Sequence, residues 1–472
     1  MVTIEMREEL YQVFLQGKER AKQLSKPILV SKITKIEPID PLAFFLFGKQ
    51  YFKGTRTFWA DPEQEMVLVG IGSAYTLKSY SNRRFQDAER KWNAVVANCI
   101  VTPDLPAPAV GPVLLGGFTF DPARKQSSLW KNYAHSYLVV PKFLVTLAKD
   151  GQAWLTTNAY VHASDDITEA VESIHQMQQQ IVQLRAFETD VDAQFYHVQE
   201  ADRESWMQAV EQLAAEIRAQ QLEKVVLARE LRVHAAQYIS IENVLHRLQE
   251  EQPLSYRFAI ESDQDCFLGA TPERLIKKQG NVCLSACLAG SIARGKTLEE
   301  DRQLGEQLLS DPKNRHEHHL VVAMIRSALE DMCEDVKVPE HPMLYRVRDI
   351  QHLYTPVVGI VKPDSSILSI VERLHPTPAL GGFPKESALA KIRELEPFER
   401  GFYGAPVGWL DSQGNGEFAV AIRSGLLQKD EASLFAGCGI VGESDPESEY
   451  KETELKFKPM ISALGGSWND WK

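Results

Sequence analysis

The hydrophobic pattern of the first half of the chain predicts helices separated by short strands. Apolar residues recur with helical spacing over residues 5–24 and 166–186. Short runs rich in β-branched and aromatic residues predict strands at Ile28–Val30, Met66–Ile71, Val113–Phe120, Phe143–Leu147 and Trp154–Thr157. The last two runs flank Asp150-Gly151, a dipeptide typical of a β-hairpin turn.

The second half is richer in strand signals. The helical spacing returns at Trp206, Val210, Leu213 and Ile217 and over residues 297–334, where Asp311-Pro312 interrupts it. Predicted strands are Lys224–Val233, Tyr256–Ile260, Cys266–Leu268 and Arg274–Ala289, the last with a turn at Gln279-Gly280. A meander is predicted from Trp409–Leu410, Glu417–Leu427 and Ser433–Val441, with its first turn at Ser412–Gly416.

Hairpin signals dominate this pattern and βαβ alternation is weak. We therefore expect an α+β fold in which antiparallel sheets pack against each other with helices outside. The 472 residues exceed the usual size of a single core. The polar region 187–203 is predicted to join a variable N-terminal portion, residues 1–200, to a second portion, residues 201–465.

Composition narrows the class of protein. Hydrophobic content of 44% and charged content of 25% are typical of a soluble globular protein, and the net charge of −12 argues against a nucleic-acid partner. Residues 1–10 do not resemble a signal peptide, and no apolar run approaches the roughly 20 residues of a membrane span. The six cysteines are scattered, so we expect buried, reduced thiols in a cytoplasmic protein.

The C-terminal run 436–456 carries the strongest chemical signal. A strand ends at Gly437 and Gly439, where a backbone can approach a ligand closely. On the helix predicted after it, Glu449, Glu452 and Lys456 share one face. Two carboxylates and an ammonium beside a glycine strand suit a divalent cation and an anionic small molecule.

A second polar segment, Asp311–His319, contains three histidines around Glu317. Zinc is one interpretation. Neighbouring helical positions point about 100° apart and no i,i+4 histidine pair is present, which disfavours it. A solvated polar turn at a helix start is the other interpretation.

Four further places have two interpretations each. Lys224 at the start of an apolar strand is either a solvated edge residue or, if buried, a base. Glu273, after the turn of residues 269–272, is either an exposed cap or a positioned acid. Arg423 interrupts an apolar strand and needs a carboxylate from the protein or from a ligand. The rigid turn His375–Gly382 is either an ordinary loop or a ligand contact.

Together these blocks, and the spacings between them, resemble the chorismate-utilising enzymes, which include isochorismate, salicylate, anthranilate and aminodeoxychorismate synthases. The resemblance spans about residues 200–465 and is closest to isochorismate synthases. The segments Asp40–Phe45 and Phe58–Asp61 look like the menaquinone-pathway type. The resemblance implies a large two-layered antiparallel β core flanked by helices, with the active site in a cleft between the halves.

The resemblance also implies a reaction. Water adds at C2 of chorismate while the C4 hydroxyl leaves, and Mg²⁺ binds the ring carboxylate. Lys224 matches the general base that activates water, and Glu273 matches the general acid. The positions that match the magnesium ligands are Glu317 and Glu452, with Glu449 nearby.

The remaining matches concern substrate binding. Arg423 matches the residue that grips the enolpyruvyl carboxylate. The other implied substrate-binding positions are the backbone of Gly437, Cys438 and Gly439, the charge of Lys456, and the wall residues Gly290, Thr377, Ala379 and Leu380.

Two positions discriminate among family members. Enzymes that use ammonia usually have Gln where this chain has Lys224, so water is favoured and no glutaminase subunit is expected. Ala289 stands where aminodeoxychorismate synthases carry a nucleophilic lysine, which excludes covalent attack from that position. Salicylate synthases share both residues, so salicylate synthesis and isochorismate synthesis for siderophores remain alternatives. The sequence is compatible with a monomer and does not fix the oligomeric state.

Overall fold

A computed structural model describes residues 2–105, 107–189, 195–200, 202–220, 222–348 and 350–466. The helices are α1 (Val2–Leu24), α2 (Pro41–Tyr51), α3 (Arg84–Val96), α4 (Ile167–Ile181), α5 (Arg203–Arg218), α6 (Ile241–Glu251), α7 (Leu298–Ser310), α8 (Pro312–Met332), α9 (Ile367–Leu374), α10 (Lys385–Leu395) and α11 (Pro446–Ala463).

The strands of the first half are β1 (Ile28–Ile36), β2 (Arg56–Ala60), β3 (Met66–Ile71), β4 (Tyr75–Ser79), β5 (Ile100–Thr102), β6 (Val113–Phe118), β7 (Ser136–Val140), β8 (Phe143–Ala148), β9 (Ala153–Val161) and β10 (Phe195–Glu200). Those of the second half are β11 (Lys224–Ala235), β12 (Tyr256–Ser262), β13 (Asp265–Thr271), β14 (Arg274–Gln279), β15 (Val282–Ala293), β16 (Cys333–Lys337), β17 (Met343–Arg346), β18 (Ile350–Val361), β19 (Gly382–Phe383), β20 (Pro406–Asp411), β21 (Gly416–Val420), β22 (Ser424–Gln428) and β23 (Glu431–Ile440).

These strands form two large sheets. Sheet I has the order β10-β11-β23-β22-β13-β12-β2-β3-β8-β9-β1-β5, with β19 beside β11. Sheet II has the order β16-β18-β15-β14-β21-β20-β6-β7-β4, with β17 beside β18. The neighbours pair antiparallel except β1 and β5, which pair parallel. The predicted α+β class with antiparallel sheets is confirmed.

Both halves of the chain contribute to both sheets. In sheet I, β2 pairs with β12, so that Ala60 lies opposite Arg257. In sheet II, β6 pairs with β20, so that Gly117 lies opposite Val407. The N-terminal strands therefore extend the same layers that the second half builds.

The two sheets pack face to face over a shared apolar core. Trp59 and Phe258 from sheet I and Leu115 and Trp409 from sheet II belong to one buried cluster. A second cluster lies between sheet I and helices such as α1, α4 and α11. A third lies beneath α3, α8 and α9 on sheet II and extends to α5, α10 and the sheet I strands β11 and β23. This is the layered arrangement in which each sheet buries both faces.

The predicted meander near residue 420 is wrong in one respect. Glu417–Leu427 is not one strand, because β21 belongs to sheet II and β22 to sheet I, with Arg423 between them. The chain also changes sheets between β13 and β14, at Pro272-Glu273. The apolar run continues through residues 418–422 since both sheets are buried there, so its pattern does not reveal the change of sheet.

Other boundaries agree more closely with the sequence. The long helical region divides at Asp311, which caps α8 by accepting a hydrogen bond from the Asn314 N–H at 2.7 Å. Of the polar region 187–203, residues 195–200 form the edge strand β10, whereas 190–194 and 201 lie outside the described residues. Helices α2, α3, α6, α9 and α10 were not predicted from the sequence.

Two general expectations can be compared with the fold. All six cysteines are free, and five are buried while Cys99 is half-buried. Among the helices of the described ranges, none combines the length and the apolar content needed to cross a membrane.

Candidate active site

A cavity of about 150 Å³ opens where the chain passes between the two sheets. Its lining includes every residue that the sequence analysis assigned to catalysis, substrate or metal except Lys224 and Thr377. Residues far apart in the chain, such as Glu273, Glu317 and Glu452, therefore face one space.

Lys224 lies directly behind this lining. It is the first residue of β11, it is buried, and its ammonium forms an ion pair with Glu317 of α8. Gly439 makes this placement possible, because a Cβ there would lie 2.5 Å from Lys224 Cε and 3.0 Å from Nζ. Of the two interpretations of Lys224, the solvated edge is therefore wrong.

Glu273 lies at the change of sheet between β13 and β14. The side chain is buried, and burial raises its pKa to about 8 even though Lys224, Arg423 and Lys456 lower it. Desolvation disfavours the carboxylate, so at neutral pH this side chain is a carboxylic acid that can donate a proton. The interpretation as an exposed cap is wrong.

Arg423 occupies the neighbouring change of sheet. Its φ of +51° is in the left-handed region, which non-glycine residues rarely adopt, and it turns the chain from β21 into β22. The side chain is buried and lines the cavity. Such backbone conformations persist only where the surroundings fix them, and they are frequent at functional sites.

The glycine-rich end of β23 presents an open strand edge. β11 pairs with β23 as far as Ile440, but β22 pairs with it only as far as Phe435. Gly437, Cys438 and Gly439 therefore have a strand on one side only among the described residues. Lys456 uses this edge, since its Nζ donates to the Gly437 carbonyl oxygen at 2.8 Å.

The three carboxylates predicted to bind metal line the cavity, and each has a protein partner. Glu317 pairs with Lys224, Lys456 Nζ lies 2.6 Å from Glu452, and Ser444 donates to Glu449 at 2.7 Å. In the described ranges, no three His, Cys, Asp or Glu side chains lie close enough together to hold a metal. The oxygen donors fit a hard cation chemically, but they do not form a closed set of ligands.

The charges of this region act on one another. Burial raises the pKa of Glu449, and the negative charge of Glu452 adds to the rise. Burial also acts to raise the pKa of Glu452, but the positive charges of Lys456 and Arg423 outweigh it and lower the pKa. A cation between these carboxylates would relieve their repulsion.

Another part of the cavity wall comes from the turn after α9. Ala379 and Leu380 line the cavity, but Thr377 does not. The Thr377 carbonyl instead accepts from the Leu380 and Gly381 N–H groups at 3.0 and 2.9 Å, so Thr377 shapes the turn. Gly290, with φ +80°, lies in a bulge of β15 beside Asn314.

Lining residues that the sequence analysis missed include Lys313, Tyr403 and His352. Burial, with the charges of Arg423 and Lys456, lowers the pKa of His352 to about 3, so this imidazole is neutral. The distance between its Nδ1 and Ser291 Oγ is 2.9 Å. A lone histidine in an apolar strand carries no spacing signal, so only the three-dimensional contact identifies it.

His318, in the histidine-rich segment around Glu317, has a structural role. His318 is buried, with Nδ1 3.0 Å from the Ala289 carbonyl oxygen and Nε2 2.7 Å from Thr355 Oγ1. Both ring nitrogens therefore have partners in the strands that α8 covers. The interpretation as a solvated turn holds for His316 and His319, which are exposed, but not for the buried His318, and no metal cluster is found within the described chain.

Comparison with known proteins identifies the family. The family described as chorismate binding enzyme matches residues 15–465. The chain belongs to this family. This chorismate-binding enzyme is 43% identical to the isochorismate synthase MenF of Bacillus subtilis, over 96% of this chain and 97% of that protein. It is 36% identical to a salicylate biosynthesis isochorismate synthase of Pseudomonas aeruginosa, covering 95% of this chain and 93% of the relative.

Solved structures agree with the fold of this chorismate-binding enzyme. The menaquinone-specific isochorismate synthase MenF of Escherichia coli superimposes with a TM-score of 0.77, at 24% identity, over 95% of this chain and 99% of that chain. A putative 2,3-dihydroxybenzoate-specific isochorismate synthase of Bacillus anthracis gives 0.70 at 29% identity, over 89% and 99%.

Proposed function

We propose that this chain is an isochorismate synthase that converts chorismate to isochorismate by adding water at C2 with loss of the C4 hydroxyl. One observation carries the proposal. Glu273, a buried acid that is protonated at neutral pH, lines the cavity, and the buried Lys224 lies directly behind this lining, which suits attack by water with acid assistance. The relatives named isochorismate synthase support the same reaction.

Each side chain has a role in this proposal. Lys224, as the neutral amine, takes a proton from the attacking water. Glu273 gives its proton to the departing C4 hydroxyl, so the leaving group departs as water. Chorismate carries two carboxylates, which suit the cationic side chains that line the cavity, namely Lys313, Arg423 and Lys456.

We further propose Mg²⁺ as the cofactor, held by Glu317 and Glu452 with Glu449 close by. Their carboxylate oxygens are the donors that Mg²⁺ prefers. When bound, the ion would neutralise the substrate's ring carboxylate and draw electron density from the ring. Lys224 now pairs with Glu317 and Lys456 with Glu452, so each lysine would have to release its carboxylate when the ion binds and Lys224 acts as the neutral amine.

Residue identities favour water chemistry over the other reactions of the family. Lys224 replaces the Gln of the ammonia-using enzymes, and Ala289 cannot act as a covalent nucleophile. The similarity to a MenF protein supports menaquinone biosynthesis as the pathway, in the cytoplasm. Salicylate synthesis remains the alternative reaction, and siderophore biosynthesis the alternative pathway.

The proposal is tested by incubating the purified chain with chorismate, with and without Mg²⁺, and separating the products by chromatography. We expect isochorismate only when Mg²⁺ is present, and no pyruvate. Salicylate with pyruvate would assign the chain to the alternative reaction. Binding of chorismate without turnover would reject both.

A further inference from the structure

A buried ion pair lies behind the active-site cavity. Glu396 follows α10, and Arg400 lies one turn later; their side chains are only 1% and 3% exposed. Arg400 Nε lies 3.1 and 2.9 Å from the two Glu396 oxygens, and Nη2 lies 2.5 Å from Oε1. The guanidinium also stacks on the Phe120 ring at 4.4 Å. Neither residue lines the cavity.

The remaining hydrogen bonds of this pair reach two walls of the cavity. Arg400 Nη1 donates to the Leu380 carbonyl oxygen at 2.9 Å, and Nη2 donates to the Val226 carbonyl oxygen at 2.8 Å. Glu396 Oε1 accepts from the Ala228 N–H at 2.8 Å. Since Leu380 and Val226 both line the cavity, the pair joins the wall after α9 to strand β11.

Strand β11 also carries Lys224, two residues before Val226. The wall segment runs alongside this part of the strand, because the Val226 N–H donates to Gly381 O and the Glu223 N–H donates to Phe383 O, both at 3.0 Å. Arg400 extends this short ladder at its cavity end, because it donates to the carbonyl groups of both Val226 and Leu380. The wall and Lys224 therefore share one hydrogen-bonded frame.

We propose that Glu396 and Arg400 are a positioning pair for the reaction, an inference that rests on the proposed function. The pair keeps the part of the cavity wall formed by Ala379 and Leu380 in register with Lys224. A buried ion pair is often no more stabilising than apolar residues of the same size. The planar fork of arginine can, however, bind a carboxylate and two carbonyl groups in fixed directions, which the single ammonium of lysine cannot.

The test compares Arg400→Lys with a matched control, Arg56→Lys. Arg56 is equally buried, lies 2.6 and 2.5 Å from Glu242 and Glu261, and donates to the Phe45 carbonyl at 2.8 Å, away from the cavity. Both variants keep the positive charge but lose the planar guanidinium group, which can donate in several fixed directions. At a temperature where circular dichroism shows both folded, we expect kcat of Arg400→Lys to fall about 10- to 100-fold, as a misplaced catalytic group does. Arg56→Lys should keep kcat within twofold.

Hydrogen exchange provides a second readout that needs no turnover. We expect faster exchange in segments 224–228 and 378–383 for Arg400→Lys, and wild-type exchange there for Arg56→Lys. If Arg400→Lys does not fold, Glu396→Gln, which keeps the side-chain shape and an acceptor for Ala228, replaces it with the same expectations.

The outcomes separate the two proposals. If the wild-type chain does not turn over chorismate, the proposed function is rejected. The hydrogen-exchange comparison would still test whether Arg400 holds segment 378–383 against the strand that carries Lys224. An active wild type with unchanged kcat and unchanged exchange in the folded Arg400 or Glu396 variant overturns the positioning role.

Discussion

Glu273 and Arg423 lie side by side at two adjacent places where the chain changes sheets. The Glu273 carbonyl accepts from the Val420 N–H at 2.9 Å, and the Arg423 carbonyl accepts from the Ala270 N–H at 3.1 Å. Backbone hydrogen bonds therefore join the two places where the chain changes sheets. These hydrogen bonds, where the chain passes from one sheet to the other, position the acid Glu273 and the cation Arg423 in one cavity.

The role of Lys224 predicts a loss of turnover without a loss of binding. In Lys224→Ala, kcat should fall about 10²- to 10⁴-fold, the usual contribution of a general base, while chorismate affinity by calorimetry stays near the wild-type value. Lys277→Ala is the control. Lys277 is also a strand lysine in an ion pair, with Glu65 at 3.0 Å, but it does not line the cavity. Full activity of Lys224→Ala would remove the base assignment.

Gly439 should act through Lys224. In Gly439→Ala the added Cβ would lie 2.5 Å from Lys224 Cε, so the amine must move, and kcat should fall about 10- to 100-fold. In a Lys224→Ala background, Gly439→Ala should lower kcat little further, since the amine that it would displace is already absent. Equal losses in both backgrounds would show that Gly439 acts independently of the lysine.

The acid role of Glu273 gives a pH dependence of defined sign. Its pKa is raised to about 8, so the proton needed for catalysis is present below that pH and is lost above it. We expect kcat/KM of the wild type to decline as the pH rises through about 8. Glu273→Gln should be slow and should lack this descending limb; a variant that keeps the limb would assign it to another group.

Removal of the metal should abolish turnover reversibly. A chelator should stop the reaction, Mg²⁺ should restore it, and Glu452→Gln should raise the Mg²⁺ concentration needed for half-maximal rate by about tenfold or more. Glu447→Gln is the control on the same helix, since Glu447 pairs with Arg203 at the surface. Turnover in the presence of excess chelator would contradict the cofactor proposal.

The sequence predicted the fold class because hairpin signals and apolar runs are local. It located the break between α7 and α8, where Asp311 and Pro312 act within one turn. It failed at Glu417–Leu427, because a strand buried in either sheet has the same apolar composition. The change of sheet at Arg423 depends on pairing with distant strands, which periodicity does not record.

The candidate site was predicted almost entirely through motifs recognised as a family resemblance. From the residues alone, Lys224 and Glu273 each had two interpretations, because burial decides between them and burial is a property of the fold. Thr377 was assigned to the wall through the family resemblance, although it does not line the cavity and instead shapes the turn through its carbonyl group. His352 was missed because its only signal is spatial, the contact with Ser291.

The most direct test of the central claim is the source of the new hydroxyl oxygen. Chorismate should be converted in water enriched in ¹⁸O, and the isochorismate analysed by mass spectrometry. If Lys224 activates a water molecule that attacks C2 while Glu273 releases the C4 hydroxyl, each product molecule gains one ¹⁸O atom. Unlabelled isochorismate would mean that the hydroxyl moves within the substrate, and would contradict the roles assigned to both residues.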